Sequence, residues 1–477
     1  MVNLNSEQFE EKKATGKTFP VYIKINGDEL TPVNIFYKLK GVHKFLLESA
    51  SLKGEGGRYS FIGKDPYLSL FSRGENITVL NGEHTLKFQG KTLEYAEKYL
   101  IQDYDNTDLD IPFVGGAVGY VGYDVIRQYE KIPNNNPDEL KLPEAYLMYY
   151  KEFICYDHFS HNIMLVYNVL PEDKSSYEAI ISSLNKLIEL LKQEDIKHEL
   201  KEGERKGKVV SNFSREEYCE IVDKAREYIK AGDIFQVVLS QRLKIENSAS
   251  PFDVYRRLRR KNPSPYMFFI DFEEFQLVGA SPESLVKVEK GIVSTNPIAG
   301  SRPRGANAEE DEALKEELLQ DEKELAEHLM LVDLGRNDVG RISEFGSVKL
   351  DKFLEVDLFS HIMHICSSVS GKLKSDFNCF NALSSCLPVG TVSGAPKIRA
   401  MEIIDELENV KRGIYSGAVG NFSYNGNMDT CIAIRTIILK DEYAYVQAGA
   451  GLVYDSVPAT EYTETLNKSM ALREVLT

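Results

Sequence analysis

The sequence predicts an α+β fold in which large antiparallel β-sheets are covered by helices. Apolar runs that are neighbours in the chain are joined by tight turns such as Tyr424–Asn427, and such connections favour antiparallel pairing. Segments with helical apolar spacing lie among these runs. With 477 residues, of which 43% are hydrophobic, the chain is long enough to bury a large core.

The N-terminal part is predicted to be β-rich. Strand-like runs at Tyr59–Ile62, Asn76–Leu80 and Asn162–Tyr167 alternate with Gly-rich turns, and a helix is predicted at Ser176–Lys192. The following segment, Gln193–Lys208, is dense in charge and poor in apolar residues, which is typical of an exposed connection. We therefore divide the chain into residues 1–205 and 206–477, although a boundary in sequence need not be a boundary in space.

The C-terminal part is predicted to mix helices and strands. Helices are predicted at Arg215–Ala231, Pro251–Lys261, Ala308–Val332 and Lys397–Leu407. Strands are predicted at Phe235–Lys244, Tyr266–Phe272, Phe275–Ala280, Ala418–Tyr424, Asp429–Leu439 and Ala444–Ala448.

The composition argues against several kinds of partner. The 57 basic and 73 acidic residues give a net charge of −16, which disfavours nucleic acid and anionic membranes. No apolar run approaches the roughly 18 residues of a spanning helix. The start, Met1–Lys13, is polar and acidic, unlike a signal peptide, so a cytoplasmic location is expected. The six cysteines show no CxxC spacing and are expected to be buried thiols.

Two pairs of glutamates have the spacing of a helical metal site. Glu324 and Glu327 form one pair, Glu461 and Glu464 the other, and a separation of three places both carboxylates on one face of a helix. Mg²⁺ prefers oxygen ligands from one or two carboxylates, with water and substrate completing the shell. The alternative is a solvated helix face, which is common in an acidic chain.

Two Gly-rich segments are candidate anion sites. Gly390–Lys397 precedes a predicted helix, with Ser393 as a possible N-cap and Pro396 in the first turn, and a helix N-terminus binds carboxylate or phosphate. The amides of Gly449–Gly451 are candidates for a backbone nest. Ordinary capping and a tight turn explain the two segments equally well, and no GxGxxG fingerprint of a dinucleotide site is present.

Three single residues are candidates for catalysis or substrate binding. A histidine side chain ordinarily titrates near neutral pH, so His364 is a candidate general acid or base. Arg435 stands in an apolar run, where a guanidinium needs solvent or a carboxylate partner. Glu283 directly follows a predicted strand, where its carboxyl suits an acid, although a surface turn is the alternative. These features together predict a Mg²⁺-assisted enzyme that acts on a small polycarboxylate.

Several long segments resemble those of the chorismate-utilising enzymes, and among them the component I subunits of anthranilate synthases. Two N-terminal segments match as well, Leu46–Ser49 and Arg58–Gly63. The matching C-terminal segments are Pro297–Gly305, Asp321–Asp338, Gly390–Lys397, Tyr415–Phe422, Met428–Thr436, Gln447–Pro458 and Glu461–Lys468.

The resemblance implies a role for each candidate residue. It implies Mg²⁺ as cofactor and chorismate, ammonia and the products anthranilate and pyruvate as reactants. Glu283 would protonate the departing hydroxyl, His364 would assist loss of pyruvate, and Thr391 and Lys468 would shape the pocket. The implied metal ligands are Glu327 and Glu464, lined by Glu324 and Glu461. The implied substrate contacts are Gly300, Ser301, Tyr415, Arg435, Gly449, Ala450 and Gly451.

Two positions favour anthranilate synthesis over other activities of the family. Ala299 stands where aminodeoxychorismate synthases have a nucleophilic lysine, and it cannot form that covalent intermediate. Gln236 stands where salicylate and isochorismate synthases have a lysine that activates water, and it is no base at neutral pH. Ser301 replaces a usual threonine, and Ser368 replaces an arginine often seen after the catalytic histidine.

The resemblance also implies feedback inhibition and a partner subunit. Ser49, with Pro265, Tyr266 and Met267, would bind tryptophan, although these residues also suit plain packing and turn fragments. No glutaminase segment is recognisable, so ammonia from glutamine would require a separate glutamine amidotransferase, component II, in a hetero-oligomer. The rival interpretations are an aminodeoxychorismate synthase component I and a tryptophan-binding regulatory subunit without catalysis.

Overall fold

A computed structural model describes residues 2–49, 57–101, 103–105, 109–194, 198–200, 207–358 and 362–476. The sequence boundary at residues 205 and 206 lies outside these ranges and stays a prediction. The helices are α1 (Ser6–Ala14), α2 (Pro32–Lys38), α3 (Thr92–Leu100), α4 (Tyr177–Leu191), α5 (Arg215–Ala231), α6 (Pro251–Lys261), α7 (Ala308–Gln320), α8 (Glu322–Ile342), α9 (Cys379–Cys386), α10 (Lys397–Leu407) and α11 (Pro458–Glu474).

The strands of the N-terminal half are β1 (Phe19–Asn26), β2 (Phe45–Glu48), β3 (Tyr59–Gly63), β4 (Leu68–Arg73), β5 (Asn76–Asn81), β6 (His84–Gln89), β7 (Gly116–Val121), β8 (Ala145–Tyr150), β9 (Glu152–Asp157), β10 (Asn162–Val169), β11 (Val209–Ser211) and β12 (Gln236–Glu246). Those of the C-terminal half are β13 (Tyr266–Asp271), β14 (Phe275–Ser281), β15 (Ser284–Glu289), β16 (Ile292–Thr295), β17 (Ile298–Pro303), β18 (Lys349–Leu358), β19 (Ile362–Lys372), β20 (Gly394–Ala395), β21 (Ala418–Ser423), β22 (Met428–Ile432), β23 (Thr436–Lys440) and β24 (Tyr443–Leu452).

The strands form two large antiparallel sheets, which confirms the predicted fold class. The first sheet has the order β1-β10-β9-β3-β2-β13-β14-β23-β24-β12-β11, with β20 paired to β12. The second has the order β17-β19-β16-β15-β22-β21-β7-β8-β4-β5-β6, with β18 paired to β19. Each sheet combines strands from both sides of the sequence boundary, so the β-rich N-terminal part shares its sheets with the C-terminal part.

The two sheets pack face to face, and helices cover their outer faces. Tyr120 of the second sheet contacts Phe272, beside the first sheet, with ring centroids 5.4 Å apart. Phe36 of α2 stacks on Phe252 of α6 at 4.0 Å on the outer face of the first sheet. Because neighbouring side chains of a strand point to opposite faces, Phe268 joins the core between the sheets while Met267 joins the core under the helices.

Several predicted elements agree with the structure, and two do not. The predicted bounds of α5, α6 and α10 are those observed. The single helix predicted at Ala308–Val332 is wrong, because Asp321 ends α7 and caps α8 by accepting hydrogen bonds from the amides of Lys323 and Glu324.

The single strand predicted at Asp429–Leu439 is also wrong. The chain leaves β22 in the second sheet and enters β23 in the first, so the predicted strand is two strands in different sheets. Arg435 lies in the connection with a φ of 48°. This left-handed conformation is incompatible with a continuous strand, and it turns the chain from one sheet to the other.

The structure bears on two expectations from composition, which concern the cysteines and membrane-spanning helices. All six cysteines are free thiols; five are buried, while Cys219 is half-buried. In the part of the chain that the structure describes, we find no helix with the length and apolar character needed to cross a membrane.

Candidate active site

The candidate site lies at the start of β12 and the end of β24, which are neighbours in the first sheet. It is flanked by α8, α11 and the connection that contains Arg435. Gln236 begins β12, and its side-chain amide donates a 3.0 Å hydrogen bond to Glu327 Oε1 of α8. The same amide nitrogen lies 2.9 Å from where a Cβ at Gly451 would stand. A side chain at position 451 would therefore shift the end of the Gln236 side chain and its hydrogen bond to Glu327.

The second pair of glutamates reaches the same region from α11. Lys468 forms an ion pair with Glu464 at 2.7 Å and donates to the carbonyl of Gly449 at 3.1 Å. The charge of Lys323 of α8 acts on the pKa of Glu461 of α11, so these two side chains lie near each other. The prediction that both glutamate pairs lie on helices is confirmed.

The first glutamate of each pair has a raised pKa. Burial, followed by the charge of Glu327, raises the pKa of Glu324 above its ordinary value, although the Arg302 guanidinium 3.5 Å away offsets part of the shift. Burial, together with the charge of Glu464, likewise raises the pKa of Glu461, although Ser456 offsets part of the shift. Within the described ranges, no three His, Cys, Asp or Glu side chains are grouped as a complete protein metal site would require.

Glu283 is a buried carboxyl that favours its neutral form. Its side chain is 7% exposed, and burial raises its pKa to about 8, although Thr391, Lys468 and Arg435 favour the charged form. Among the described residues, neither Glu283 Oε1 nor Thr391 Oγ1 has a partner at hydrogen-bond geometry. At pH 7 this carboxyl therefore holds a proton that it can donate to a group placed in the pocket.

Arg435 is a second poorly compensated group in this pocket. Burial lowers the pKa of its guanidinium, and Glu283 is the charge that acts on it in the opposite sense. Glu283, being mostly neutral, provides little compensation, and the described residues show no ion pair to Arg435. A guanidinium in this position is suited to bind a carboxylate with two parallel hydrogen bonds.

His364 lies on β19 beside the candidate substrate contacts of β17. Its Nδ1 lies 3.2 Å from the carbonyl oxygen of Gly300, which accepts only, so Nδ1 carries the hydrogen. Burial and the charge of Arg435 lower the pKa of the imidazole, whereas the hydrogen bond to Gly300 raises it. In the antiparallel pair of β17 and β19, Ala299 lies opposite Ile365 and Ser301 lies opposite His364. The net shift favours neutral His364, the form that can accept a proton.

Gly449, Ala450 and Gly451 lie in an extended strand. They pair with Ser240, Leu239 and Val238 of β12, so the expected backbone nest is wrong for this segment. On its other side β24 pairs with β23 only as far as Val446. Beyond Val446 no described strand pairs with this edge, and the Tyr415 hydroxyl lies 2.9 Å from where a Cβ at Gly449 would stand.

The segment Gly390–Lys397 is not a capped helix start. Ser393 donates its hydroxyl hydrogen to the carbonyl of Val389 at 2.9 Å, and Pro396 occupies the N-cap position of α10 without a side-chain cap. The prediction of Ser393 as N-cap is therefore wrong. The segment forms a short 3₁₀ helix, Gly390–Val392, that presents Thr391 to Glu283.

The residues predicted to bind tryptophan lie on or beside adjacent strands of the first sheet. Met267 of β13 pairs with Glu48 of β2, so Ser49, Pro265 and Tyr266 lie around the same strand ends. Ser368, the other departure from the family pattern, lies elsewhere, opposite Lys352 in the pair of β18 and β19.

Charged residues that the sequence did not single out lie beside both sites. Glu48 is buried and accepts hydrogen bonds from Tyr255 and from Arg259, the latter at 2.8 Å. Arg412 is buried behind Tyr415 and pairs with Glu408 at 2.6 Å. The spacing of four between Glu408 and Arg412 is a signal in the sequence, but it normally indicates an exposed helical pair.

The comparison with known proteins agrees with these features. A model of the chorismate binding enzyme family matches residues 45–474. The chain is 47% identical to the anthranilate synthase component 1 of Acetivibrio thermocellus over 486 residues, which cover 98% of this chain and 97% of that protein. It is 44% identical to the protein of the same name from Pseudomonas aeruginosa over 482 residues, which cover 98% of each.

Solved structures show the same fold. The crystal structure of anthranilate synthase component I from Streptococcus pneumoniae aligns with a TM-score of 0.81 and 42% identity, covering 94% of this chain and 98% of that one. The menaquinone-specific isochorismate synthase of Escherichia coli aligns with a TM-score of 0.72 and 17% identity, covering 99% and 98%, and supports the fold alone.

Proposed function

The chain belongs to the chorismate-binding enzyme family, and from this premise we propose that it is the large subunit of an anthranilate synthase. It converts chorismate and ammonia to anthranilate and pyruvate. The observation that carries the proposal is the proximity of a protonated acid, Glu283, to Arg435, a half-buried guanidinium without an ion pair among the described residues. Such a pair suits a substrate that offers both a carboxylate and a hydroxyl leaving group.

The residues present fit a magnesium ion. Glu327 and Glu464 would hold it, with Glu324 and Glu461 beside them. The raised pKa values of Glu324 and Glu461 support this assignment, because a nearby cation would stabilise both carboxylates. Since Mg²⁺ takes few protein carboxylates and completes its shell with water and substrate, a closed protein cage is not needed. When bound, the ion would offset the charge of the substrate's ring carboxylate.

The first stage of the reaction adds ammonia and removes a hydroxyl. Arg435, Tyr415 and the open edge of β24 bind and orient chorismate. Ammonia bonds to C2, the ring double bonds shift, and the C4–O bond breaks, while Glu283 gives its proton so that the hydroxyl leaves as water. The added nitrogen releases one proton, and the product of this stage is aminodeoxyisochorismate.

The second stage makes the ring aromatic. Neutral His364 accepts the proton from C2 as the bond between the ring and the enolpyruvyl oxygen breaks; the enolpyruvate that leaves takes up one proton at its methylene carbon and becomes pyruvate. The alternative activities of the family lack their nucleophile or base here. Ala299 offers no amine for a covalent intermediate, and Gln236 does not deprotonate water.

The proposal includes a partner and an inhibitor. Ammonia in the cell comes from glutamine through a separate amidotransferase subunit in a hetero-oligomer, as the name component 1 of the relatives supports. Tryptophan binds near Ser49, Pro265, Tyr266 and Met267 and lowers the activity. The register that joins β2 to β13 supports a single site there.

The test is product analysis with the purified chain, chorismate, Mg²⁺ and excess ammonium at alkaline pH, with and without tryptophan. We expect anthranilate, identified by fluorescence and chromatography, that forms only with Mg²⁺ and declines with tryptophan. Aminodeoxychorismate, isochorismate, salicylate or no product would contradict the proposed activity. Anthranilate that is insensitive to tryptophan would contradict the proposed regulation alone.

A further inference from the structure

Among the residues that the structure describes, Arg412 is the largest side chain that is almost completely buried, and it lies directly behind the candidate pocket. Its guanidinium donates two hydrogen bonds to Glu408, at 3.0 Å and 2.6 Å. It also donates to the carbonyl of Val238 at 2.6 Å and to that of Val392 at 2.7 Å. Burial alone would lower the pKa of Arg412, but the Glu408 carboxylate raises it above its ordinary value.

These bonds join three separate segments that line the pocket. Val238 lies opposite Gly451 in the pair of β12 and β24. Val392 directly follows Thr391, the residue that faces Glu283. The guanidinium also lies 5.6 Å from the ring centroid of Tyr415, which adds a cation–π contact.

Glu408 extends the same network to the middle of the strand pair. Its Oε1 accepts hydrogen bonds from the backbone amide and the hydroxyl of Ser240, both at 2.8 Å. Ser240 lies opposite Gly449, whose carbonyl accepts from Lys468. The pair Glu408–Arg412 therefore contacts the strand pair, the 3₁₀ helix and the loop of Tyr415 at once.

Stability alone is a poor explanation for this arrangement. A buried ion pair gives up the hydration of both charges, and apolar side chains of similar size commonly give equal or greater stability. What apolar side chains cannot supply is a rigid fork of donors that fixes three backbone segments by direction and distance.

We propose that Glu408 and Arg412 act as a positioning pair that sets the placement of Thr391, Tyr415 and Gly449–Gly451 around the substrate. The inference rests on the proposed anthranilate synthase reaction. Because that reaction has two stages, the substrate contacts must hold aminodeoxyisochorismate until pyruvate leaves. A pocket with loosened segments binds chorismate less well and releases the intermediate early.

The test uses Arg412→Lys, which keeps the charge but loses the fork, and a double variant, Glu408→Leu with Arg412→Met, which replaces the ion pair by apolar volume. A misplacement of about 1 Å at a reacting centre can cost on the order of a hundredfold in rate. We expect both variants to fold, to lose about tenfold to a hundredfold in kcat/KM for chorismate, and to release a larger fraction of aminodeoxyisochorismate per anthranilate formed.

The matched control is Arg127→Lys. Arg127 is a half-buried arginine, paired with Asp124 at 2.9 Å and with Asp405 at 2.8 Å, and its side chain donates no hydrogen bond to the three pocket segments. Asp124 keeps the hydrogen bond that it accepts from the amide of Gly413 when Arg127 is changed. It should lose stability to a similar extent while the ratio of intermediate to anthranilate stays at the wild-type value. Circular dichroism and thermal unfolding report the fold of each variant.

A milder variant covers the case in which neither change at Arg412 folds. Ser240→Ala removes little volume, the hydroxyl's hydrogen bond to Glu408 and the hydrogen bond that the hydroxyl accepts from Gln447 at 2.8 Å. It should raise the released fraction of intermediate by a few fold. Wild-type kinetics and product ratio in the folded variants, or an equal change of that ratio in Arg127→Lys, would overturn the inference. Absence of anthranilate with the wild-type chain would instead refute the proposed function.

Discussion

The hydroxyl of Tyr266 donates a 3.0 Å hydrogen bond to Asp429 Oδ1, and this bond joins the two sheets. Tyr266 lies in β13 among the proposed tryptophan contacts, and Asp429 lies in β22. The end of β22 is hydrogen-bonded to the backbone of the proposed acid, Glu283, because the amide of Ile432 donates to the carbonyl of Glu283 at 3.0 Å. Tyr266 also lies opposite Ser281, whose hydroxyl donates to the carbonyl of Ile432 at 2.8 Å. The two proposed sites are thus linked by these hydrogen bonds together with strands β13, β14 and β22.

Tyr266→Phe is expected to weaken inhibition more than it weakens tryptophan binding. The substitution removes the hydroxyl and keeps the ring, so the loss is one hydrogen bond between the sheets, worth about 1 kcal/mol. At saturating tryptophan, a larger fraction of the activity should remain than in the wild-type chain. The chain has no tryptophan of its own, so fluorescence of the bound indole reports binding separately from inhibition.

The matched control is Tyr156→Phe, since the Tyr156 hydroxyl donates to the carbonyl of Gly27 at 3.2 Å, within the N-terminal part of the chain. Its residual activity at saturating tryptophan should equal that of the wild-type chain. If Tyr266→Phe shows complete inhibition at saturation as well, the bond to Asp429 carries no coupling between the sites.

Ser49→Phe is expected to relieve inhibition by preventing binding. Ser49 follows Glu48, which pairs with Met267 across β2 and β13, and a phenyl ring there would fill the space next to the strand ends. The concentration of tryptophan that halves activity should rise at least tenfold, while most of the activity without tryptophan remains. Titration of indole fluorescence measures the lost affinity, and inhibition equal to that of the wild-type chain would count against this site.

The sequence predicts the fold correctly where the pattern is local. The prediction fails where the chain passes from one helix to the next or from one sheet to the other. The helices α5, α6 and α10 have clear amphipathic spacing, and their predicted ends are those observed. The break at Asp321 had a signal, an N-cap residue followed by acidic residues in the first turn, which the uninterrupted helical pattern concealed. The turn at Arg435 had none, because its flanking apolar runs are equally suited to one long strand.

The candidate site is predictable as a set of residues but not as an arrangement. The helical spacing of the glutamate pairs follows from their separation, whereas the approach of α8 to α11 depends on how the sheets are ordered. Arg412 and Glu48 escaped notice because charged residues are usually exposed, and burial is set by the whole fold. Their importance is visible only once the segments they join are known to be neighbours.

Glu327→Gln is expected to weaken magnesium binding. The amide keeps the size of the side chain and removes the charge, so the Mg²⁺ concentration that gives half of maximal activity should rise by about 10-fold to 100-fold. The control is Glu322→Gln, in the exposed first turn of the same helix, which should keep the wild-type requirement. Equal requirements in Glu327→Gln and the wild-type chain would exclude Glu327 as a ligand.

The raised pKa of Glu283 predicts how activity depends on pH. The carboxyl has a pKa of about 8 in the folded chain, so it is protonated at pH 7 and loses its proton as the pH passes 8. At a fixed concentration of free ammonia, kcat/KM for chorismate should therefore decline above pH 8. Glu283→Gln cannot donate this proton, and its rate should be about 10²-fold to 10⁴-fold lower with no such decline.

The same pKa predicts a change of stability with pH. Below the ordinary pKa of 4.5 the Glu283 carboxyl is neutral in both the folded and the unfolded chain. Between pH 4.5 and about 8 the folded chain keeps the proton and the unfolded chain releases it, so the contribution of Glu283 to the free energy of unfolding falls as the pH rises. Glu283→Gln removes this dependence, and relative to the wild-type chain it should gain stability from pH 5 to pH 8. Glu289→Gln, with a carboxylate that is 45% exposed, is the control and should follow the wild-type profile. A constant difference between Glu283→Gln and the wild-type chain across this range would show that Glu283 is ionised in the folded state, which would remove it as the proton donor.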